Sequence, residues 1–357
     1  MSASREKVLV AMSGGVDSSV AASVLVRQGY DVTGVFMCLG SAGDRDADSR
    51  GCCSPQDAAD ARRVADRLGI PLYVLNLQEE FGQIIDYFVG EYARGRTPNP
   101  CIHCNSRIKF GRLLEQAEGL GARYVATGHY ARMIDSPDGG RAIARGLNKA
   151  KDQSYALFGI GREALPRMLL PIGQIDDKAA VRELARELGL SVHDKPDSQE
   201  ICFVPDDDYV ALLAQRAPQA LTPGDVIDMD GKVLGRHDGY ARYTIGQRKG
   251  LSLAMGVPYY VTRIDAASAR VTIGPREQAL GRRLTAGAAN WHGTPPGSSF
   301  DATVQIRYNH RGAPAQVTVA SDDRFEVDFA EPVTAITPGQ AAVVYAGDRL
   351  LGGGWIE

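Results

Sequence analysis

The stretch SGGVDSS at 13–19 follows directly on the apolar run KVLVAM at 7–12. Its residues are too small and polar to pack a core. A strand that runs into such a turn and then opens a helix gathers unbonded backbone N–H groups and the positive end of the helix dipole at one point, which makes an anion site. Gly14 and Gly15 let the backbone come close to phosphate oxygens, and Ser13, Ser18 and Ser19 can add hydroxyl donors. The pattern is neither the Walker loop, since no Lys follows, nor the dinucleotide G-x-G-x-x-G. Cysteine gives a second chemical signal, with six residues: Cys38, Cys52, Cys53, Cys101, Cys104 and Cys202. In GRTPNPCIHCNSRIKFG (95–111), Pro98 and Pro100 stiffen the approach, and Asn105 or Ser106 suits the N-cap of a following helix. Cys104 is therefore expected at a helix N-terminus, in a stretch (90–112) with five basic residues against one acidic. Both features favour a thiolate. Cys202 lies in KPDSQEICFV, between Ile201 and Phe203 on an expected short strand.

These residues need a scaffold, and the first 130 residues supply an alternating one. Strands are expected at 7–12, 31–37, 71–77 and 123–130, and helices at 17–28, 55–68, 79–94 and 106–118. Gly29 and Gly69 stop the first two helices. The second opens on Ser54 as N-cap, Pro55 at the first helical position and Asp57 in the first turn. Such alternation means an α/β, doubly wound parallel sheet, whose ligands sit at the carboxyl ends of the strands. Beyond about residue 205 short strands and Gly-rich turns take over, with a hairpin signal at Asp230-Gly231. The expected domains are 1–205, a small central β-rich domain at 206–283, and a C-terminal β-barrel at 284–357. The run Asp206-Asp207-Asp208 reads as a helix cap.

Composition bounds the function classes. With 44% hydrophobic and 23% charged residues the chain is an ordinary globular protein. No run approaches the ~18 apolar residues of a membrane helix, and the start of the chain enters a strand rather than a signal sequence, so a cytoplasmic protein without membrane contact is expected. The net charge of -3 offers no general field for nucleic acid, so any such contact must use local patches. Cysteines in a large cytosolic chain point to metal binding or thiol chemistry rather than a disulfide framework.

The loop SGGVDSS resembles the pyrophosphatase loop of the N-type ATP pyrophosphatases, which cleave ATP between its α- and β-phosphates and adenylate a carbonyl oxygen. Taken with GRTPNPC..CN..IKF, ATGHYAR, KDQSYAL, DSQEICF, YTIGQRKGL (243–251), IRYNHRGAPAQV (306–317) and TPGQAAVVY (337–345), the chain resembles the tRNA-uridine 2-sulfurtransferases, or tRNA 2-thiouridylases, almost to its C-terminus. The resemblance implies a Rossmann-like, adenine nucleotide hydrolase-like domain, a small central domain and a terminal barrel. It implies ATP on Ala11, Met12, Ser13, Gly14, Gly15, Val16, Asp17 and Ser18, with Met37 and Gly128 further along the site and Mg²⁺ at Asp17. The flipped wobble uridine of a tRNA would meet Asn99, Pro100 and Cys101. Cys202 would carry a persulfide received from a sulfur-carrier protein, and Cys104 would be the nucleophile that closes a Cys104–Cys202 disulfide during catalysis. His129, Asp152, Gln153, Ser154, Arg307, Tyr308 and Gln340 would contact tRNA, and a monomer is expected. The residues 281–357 hold six basic side chains against eight acidic, so placed donors must matter more there than bulk charge.

Cys101 stands where some family members carry Asp, and a thiol replaces a carboxylate base poorly. Cys101, Cys104 and Cys202 are also three candidate ligands for a [4Fe-4S] cluster. Zinc would want a fourth ligand from His103 or the Cys52-Cys53 pair. Cys38 reads as a small buried side chain, His129 alternatively as a satisfied buried histidine, and Arg307 and Tyr308 alternatively as barrel surface.

Overall fold

A computed structural model describes residues 5–40, 54–196, 201–204, 208–251 and 256–357. They divide into two compact units. The first comprises Met1–Ile84, Cys101–Asp207 and Asp348–Leu350, the second Ile85–Pro100, Asp208–Gly347 and Leu351–Glu357.

In chain order the first part runs β1 (Lys7–Ala11), α1 (Val16–Arg27), β2 (Asp31–Cys38), α2 (Pro55–Leu68), β3 (Leu72–Asn76) and α3 (Gln78–Ala93). A helix in three parts follows: α4 (Pro100–His103), a π-helical stretch (Cys104–Arg112) and α5 (Leu113–Gly119). Then come β4 (Tyr124–Ala126), the hairpin β5 (Ala131–Asp135) and β6 (Arg141–Arg145), β7 (Met168–Leu169) and α6 (Lys178–Glu187). The sheet order is β3-β2-β1-β4-β7, and every neighbour is parallel. Central β1 is apolar almost throughout because both its faces are covered. On one face Val8, Val10 and Met12 pack with Val20, Ala21 and Leu25 of α1 and with Val181 and Ala185 of α6. The chain leaves β1 toward β2 and β3 and returns on the other side as β4. The carboxyl ends of β1 and β4 therefore flank the switch point where such sheets bind ligands.

The expected capping of α2 is present: Asp57 N donates to Ser54 Oγ at 3.1 Å, Ser54 N donates to Asp57 Oδ2 at 3.1 Å, and Gly69 closes the helix in the left-handed region. The fourth strand is shorter than the expected 123–130. It ends at Ala126 because Gly128 is already pressed on the backbone of the first turn of α1. The β5–β6 hairpin was not expected. Its strands flank the polar turn SPDGG at 136–140, where Ser136 N donates to Gly140 O at 2.8 Å.

The second unit contains α7 (Tyr209–Arg216), capped by Asp208 Oδ1 accepting from Ala211 N at 3.0 Å. Asp206 and Asp207 lie outside the described residues. Strands β8 (Gly224–Ile227), β9 (Val233–His237), β10 (Tyr259–Asp265) and β11 (Arg270–Pro275) form one sheet, with β8 and β9 joined through the Asp228–Lys232 turn. Strands β12 (Leu280–Trp291), β13 (Ser299–Gln305), β14 (Ala313–Ser321), β15 (Arg324–Thr334), β16 (Ala341–Ala346) and β17 (Arg349–Ile356) are ordered β12-β15-β14-β13-β16-β17, and β12 pairs with β17 to close a barrel. Alternation along β15 turns Phe325, Val327 and Phe329 into the barrel core and Glu326 outward. Among the described residues no helix is long and apolar enough to cross a membrane.

The barrel core sets one expectation. Phe329→Ala should destabilise by about 3–5 kcal/mol through the cavity it leaves, whereas the exposed Glu326→Ala should change stability by no more than about 0.5 kcal/mol. Denaturant midpoints of the two variants check this, and equal shifts would contradict the alternation.

Candidate active site

The composition of the loop after β1 leaves the start of α1 without a side-chain cap from its N-cap residue. Gly15 is the N-cap of α1 and brings no side-chain cap, so the first-turn N–H groups of the helix are not capped by it. Gly14 has a φ of +73°, and a Cβ there would stand 2.3 Å from Asp57 O of α2. Gly128, after β4, is constrained by close approach alone, since its Cβ would stand 2.7 Å from Ser18 N. Only glycine allows the two strand ends and α2 to converge on the loop. Ser13 is exposed and its Oγ lies 3.2 Å from Ser18 Oγ. Ser19, expected to offer a donor, is fully buried and donates to Gly15 O at 2.8 Å, so its hydroxyl stabilises the first helical turn instead. Met37 is buried at the end of β2. Cys38, expected to be buried, is half-buried, with Gln78 Nε2 at 4.0 Å from its Sγ.

Asp17 is the acidic centre of this end of the sheet. Its Oδ1 accepts from Tyr130 Oη at 2.8 Å and from Lys178 Nζ at 2.6 Å, and Lys178 also stands 5.4 Å from the centre of the Tyr130 ring. Lys195 reaches the loop from behind, donating to Gly14 O at 3.0 Å, Asp57 Oδ1 at 2.6 Å and Asp60 Oδ2 at 2.6 Å. Burial pulls its pKa down, but the two carboxylates outweigh this and hold it above the ordinary lysine value. Sequence reasoning missed both lysines, which lie 161 and 181 residues from the loop positions they touch. Their one local signal is that each directly follows an acidic residue, Asp177 and Asp194. A single carboxylate beside a phosphate cradle suits Mg²⁺, which keeps waters and takes its other ligands from substrate phosphates.

The helix bearing Cys104 begins earlier than its N-cap signals suggest. Pro100, with its preset φ, starts α4, so Cys104 is not at the N-terminus but one turn in, at the head of the π-helical stretch. Asn105 and Ser106 do not cap. Asn105 is buried and donates from Nδ2 to Ala156 O at 2.9 Å, while Ser106 Oγ donates to Ile102 O at 3.0 Å. Cys101, in the first turn, is exposed, and Cys104 is half-buried. Burial, aided by Arg107, lowers the His103 pKa to about 4. The imidazole next to Cys104 is therefore neutral at pH 7 and lends it no positive charge. π-Helical turns recur at functional sites, and this one carries the thiol.

His129 is 8% exposed, with Nδ1 2.7 Å from Thr127 Oγ1. Burial, aided by Lys109, holds its pKa well below the ordinary histidine value. Asp152 accepts from Arg145 Nη1 at 3.0 Å, Gly146 N at 2.9 Å and Ser154 Oγ at 2.9 Å, and Gln153 Oε1 accepts from Tyr130 N at 2.9 Å. This triplet braces Tyr130, which in turn holds Asp17.

Cys202 is half-buried in a turn, not on a strand: Val204 N donates to Ile201 O at 2.8 Å, and Phe203 packs edge-on against Phe81 of α3 at 5.6 Å. The next residue back on α3, Glu80, accepts from Arg112 Nε at 2.9 Å at the end of the π-helical stretch. The loop after β1, Cys104 and Cys202 thus lie in one unit. Among the described residues no group of three ligating side chains forms, Cys101, Cys104 and Cys202 included. Cys52 and Cys53 lie outside the described residues.

In the second unit, Gln340 Nε2 donates to both Thr97 O and Pro98 O at 3.1 Å, fixing the backbone just ahead of Asn99 and Pro100. Thr97 N donates to Pro338 O at 3.0 Å, so the turn TPGQ and the segment RTPN are bound at three points. Arg307 Nη1 donates to Thr334 O at 3.0 Å, and Tyr308 is 46% exposed.

His103 carries a pH signature. Its ordinary pKa is 6.5 and its folded value about 4, so between these values the unfolded chain binds a proton that the folded chain does not. Stability must fall as pH drops through that window. Thermal midpoints from pH 7.5 to 4.5 should fall less steeply for His103→Gln than for the natural chain, and parallel curves would show that this imidazole is not shielded.

The chain matches the tRNA methyl transferase HUP domain over residues 6–206, the tRNA methyl transferase PRC-barrel domain over 211–275 and the aminomethyltransferase beta-barrel domain over 281–356. A tRNA-specific 2-thiouridylase MnmA of Carboxydothermus hydrogenoformans is 52% identical over 359 residues, spanning 99% of this chain and 98% of that protein. Its namesake in Geotalea uraniireducens is 48% identical, spanning 99% and 95%. Among solved structures, a 4-thiouridine synthetase–RNA complex with bound ATP is 20% identical, with a TM-score of 0.38 over 60% of this chain and 51% of that one. The chain belongs to the tRNA-specific 2-thiouridylase family.

Proposed function

We propose that this protein thiolates the wobble uridine of tRNA at C2, using ATP. The observation that carries the reading is that the phosphate loop and both Cys104 and Cys202 lie in one unit of a chain that matches 2-thiouridylases over 99% of its length. ATP occupies residues 11–18, with Met37 and Gly128 beside it, and the uridine is presented to Asn99, Pro100 and Cys101. Mg²⁺, held by Asp17, neutralises phosphate charge. Lys178 supplies a second cation next to Asp17, where charge develops on the departing pyrophosphate.

The chemistry follows in balanced steps. The uracil C2 oxygen attacks the α-phosphorus and pyrophosphate leaves, so that AMP becomes the leaving group on C2. A persulfide on Cys202, loaded by a sulfur-carrier protein, attacks C2 with its terminal sulfur and displaces AMP. The Cys104 thiolate then attacks Cys202 Sγ, closing a disulfide and releasing 2-thiouridine, and an external thiol reductant returns both cysteines to thiols. Toward RNA, exposed Tyr308 and neighbouring Arg307 contact the tRNA directly, with His129, Asp152, Gln153, Ser154 and Gln340 shaping the contact surfaces.

Incubation with ATP, Mg²⁺, a persulfide source and tRNA, followed by digestion and nucleoside mass analysis, tests the reading. 2-Thiouridine should appear with the natural chain and vanish with Cys104→Ser and Cys202→Ser, while tRNA-dependent pyrophosphate release persists in Cys202→Ser. Pyrophosphate without any thionucleoside from the natural chain would assign the activation to another acceptor. Lys178→Met should slow pyrophosphate release about 100-fold, and Lys178→Arg should recover part of it.

A further inference from the structure

Lys195 is not part of the recognised loop, yet it makes three hydrogen bonds beneath it. Its Nζ lies 3.0 Å from Gly14 O and 2.6 Å from each of Asp57 Oδ1 and Asp60 Oδ2. The carboxylates are 14% and 10% exposed and the lysine side chain 27%. Asp57 is itself fixed, since its Oδ2 accepts from Ser54 N and Ser54 Oγ. Asp60 is fixed by Gln56 Nε2 at 3.3 Å and by Arg63. The ammonium is thus held by a rigid frame at the start of α2, and its third bond reaches the loop backbone.

A trans peptide points its C=O and the following N–H in opposite directions. Lys195 draws the Gly14 carbonyl toward α2, on the side where Gly14 is pressed against Asp57 O. The Gly15 N–H must then face away from α2, at the head of the row of first-turn amides of α1. We infer that Lys195 is a positioning residue for the nucleotide: by holding the Gly14 carbonyl it aims the Gly15 N–H at the phosphates. The inference rests on the reading of this loop as the ATP site. A purely structural lysine would do less, acting only as the counter-charge of two buried carboxylates.

Equilibrium dialysis of ATP against the full-length protein without tRNA separates these roles. Lys195→Met should weaken ATP binding about tenfold, the scale of one misaligned charge-assisted hydrogen bond. In turnover the KM for ATP should rise by a similar factor while kcat at saturating ATP falls less. Lys195→Arg, which keeps a donor, should recover part of the affinity. Because Lys195→Met leaves two buried carboxylates without their counter-charge and can unfold, the variant Asp57→Asn/Asp60→Asn/Lys195→Met removes all three charges. Its thermal midpoint should return toward that of the natural chain while its ATP affinity stays about tenfold low. Recovery of affinity together with the midpoint, or unchanged affinity in Lys195→Met, overturns the inference. If the natural chain itself binds no ATP, the failure lies with the reading of the loop.

Discussion

Two carboxylates largely enclosed beneath the glycine-rich loop after β1 would, if unpaired, repel any anion brought to it. The fold tolerates Asp57 and Asp60 there because a single ammonium, from Lys195, is shared between them and the loop backbone. Removing a partner from such a network leaves an uncompensated buried charge, which is far more costly than the net value of the network. This dependence explains the sequence around it. Ser54 and Asp57 must start α2 at a fixed place, Gly14 must lack a Cβ, and the segment after α6 must return to the sheet to deliver the lysine. The cradle is therefore assembled from three distant parts of the chain, although one heptapeptide carries its motif.

A second chain of contacts runs through Tyr130. Its hydroxyl holds Asp17, its backbone N–H is held by Gln153, and Asp152 and Ser154 brace the turn that presents Gln153. Gln340 does similar work in the other unit, with one amide nitrogen bridging two consecutive carbonyls. In both places a glutamine expected to meet tRNA acts on the protein backbone. Such groups limit the freedom of the residues that meet the ligand, which is how binding geometry is secured before a ligand arrives.

Much of this was legible in the sequence. Apolar runs alternating with helical patterns, with Gly69 and Ser54-Pro55 as punctuation, locate β1 to β3 and α1 to α3 closely, because those signals are local. The π-helical stretch and the start of α4 at Pro100 escape, since Asn105 and Ser106 look like caps until Ala156 O and Ile102 O are seen to take their donors. The turn at Cys202 reads as a strand because Ile201 and Phe203 are apolar for a different reason, Phe203 packing on Phe81. Lys178 and Lys195 escape entirely, as contact across more than a hundred residues leaves no spacing to read. For the three cysteines the residue types were visible in the sequence, and among the described residues they do not gather into a ligand set.

The barrel closes through β12 and β17, the first and last of its six strands. During synthesis β12 to β16 leave the ribosome before their final partner exists. Until then the row of backbone amides on β12 that will pair with β17 is an open edge, of the kind that recruits strands from other chains. A polypeptide cut short before β17 would therefore carry an adhesive, unclosed sheet, a natural substrate for chaperones and proteases.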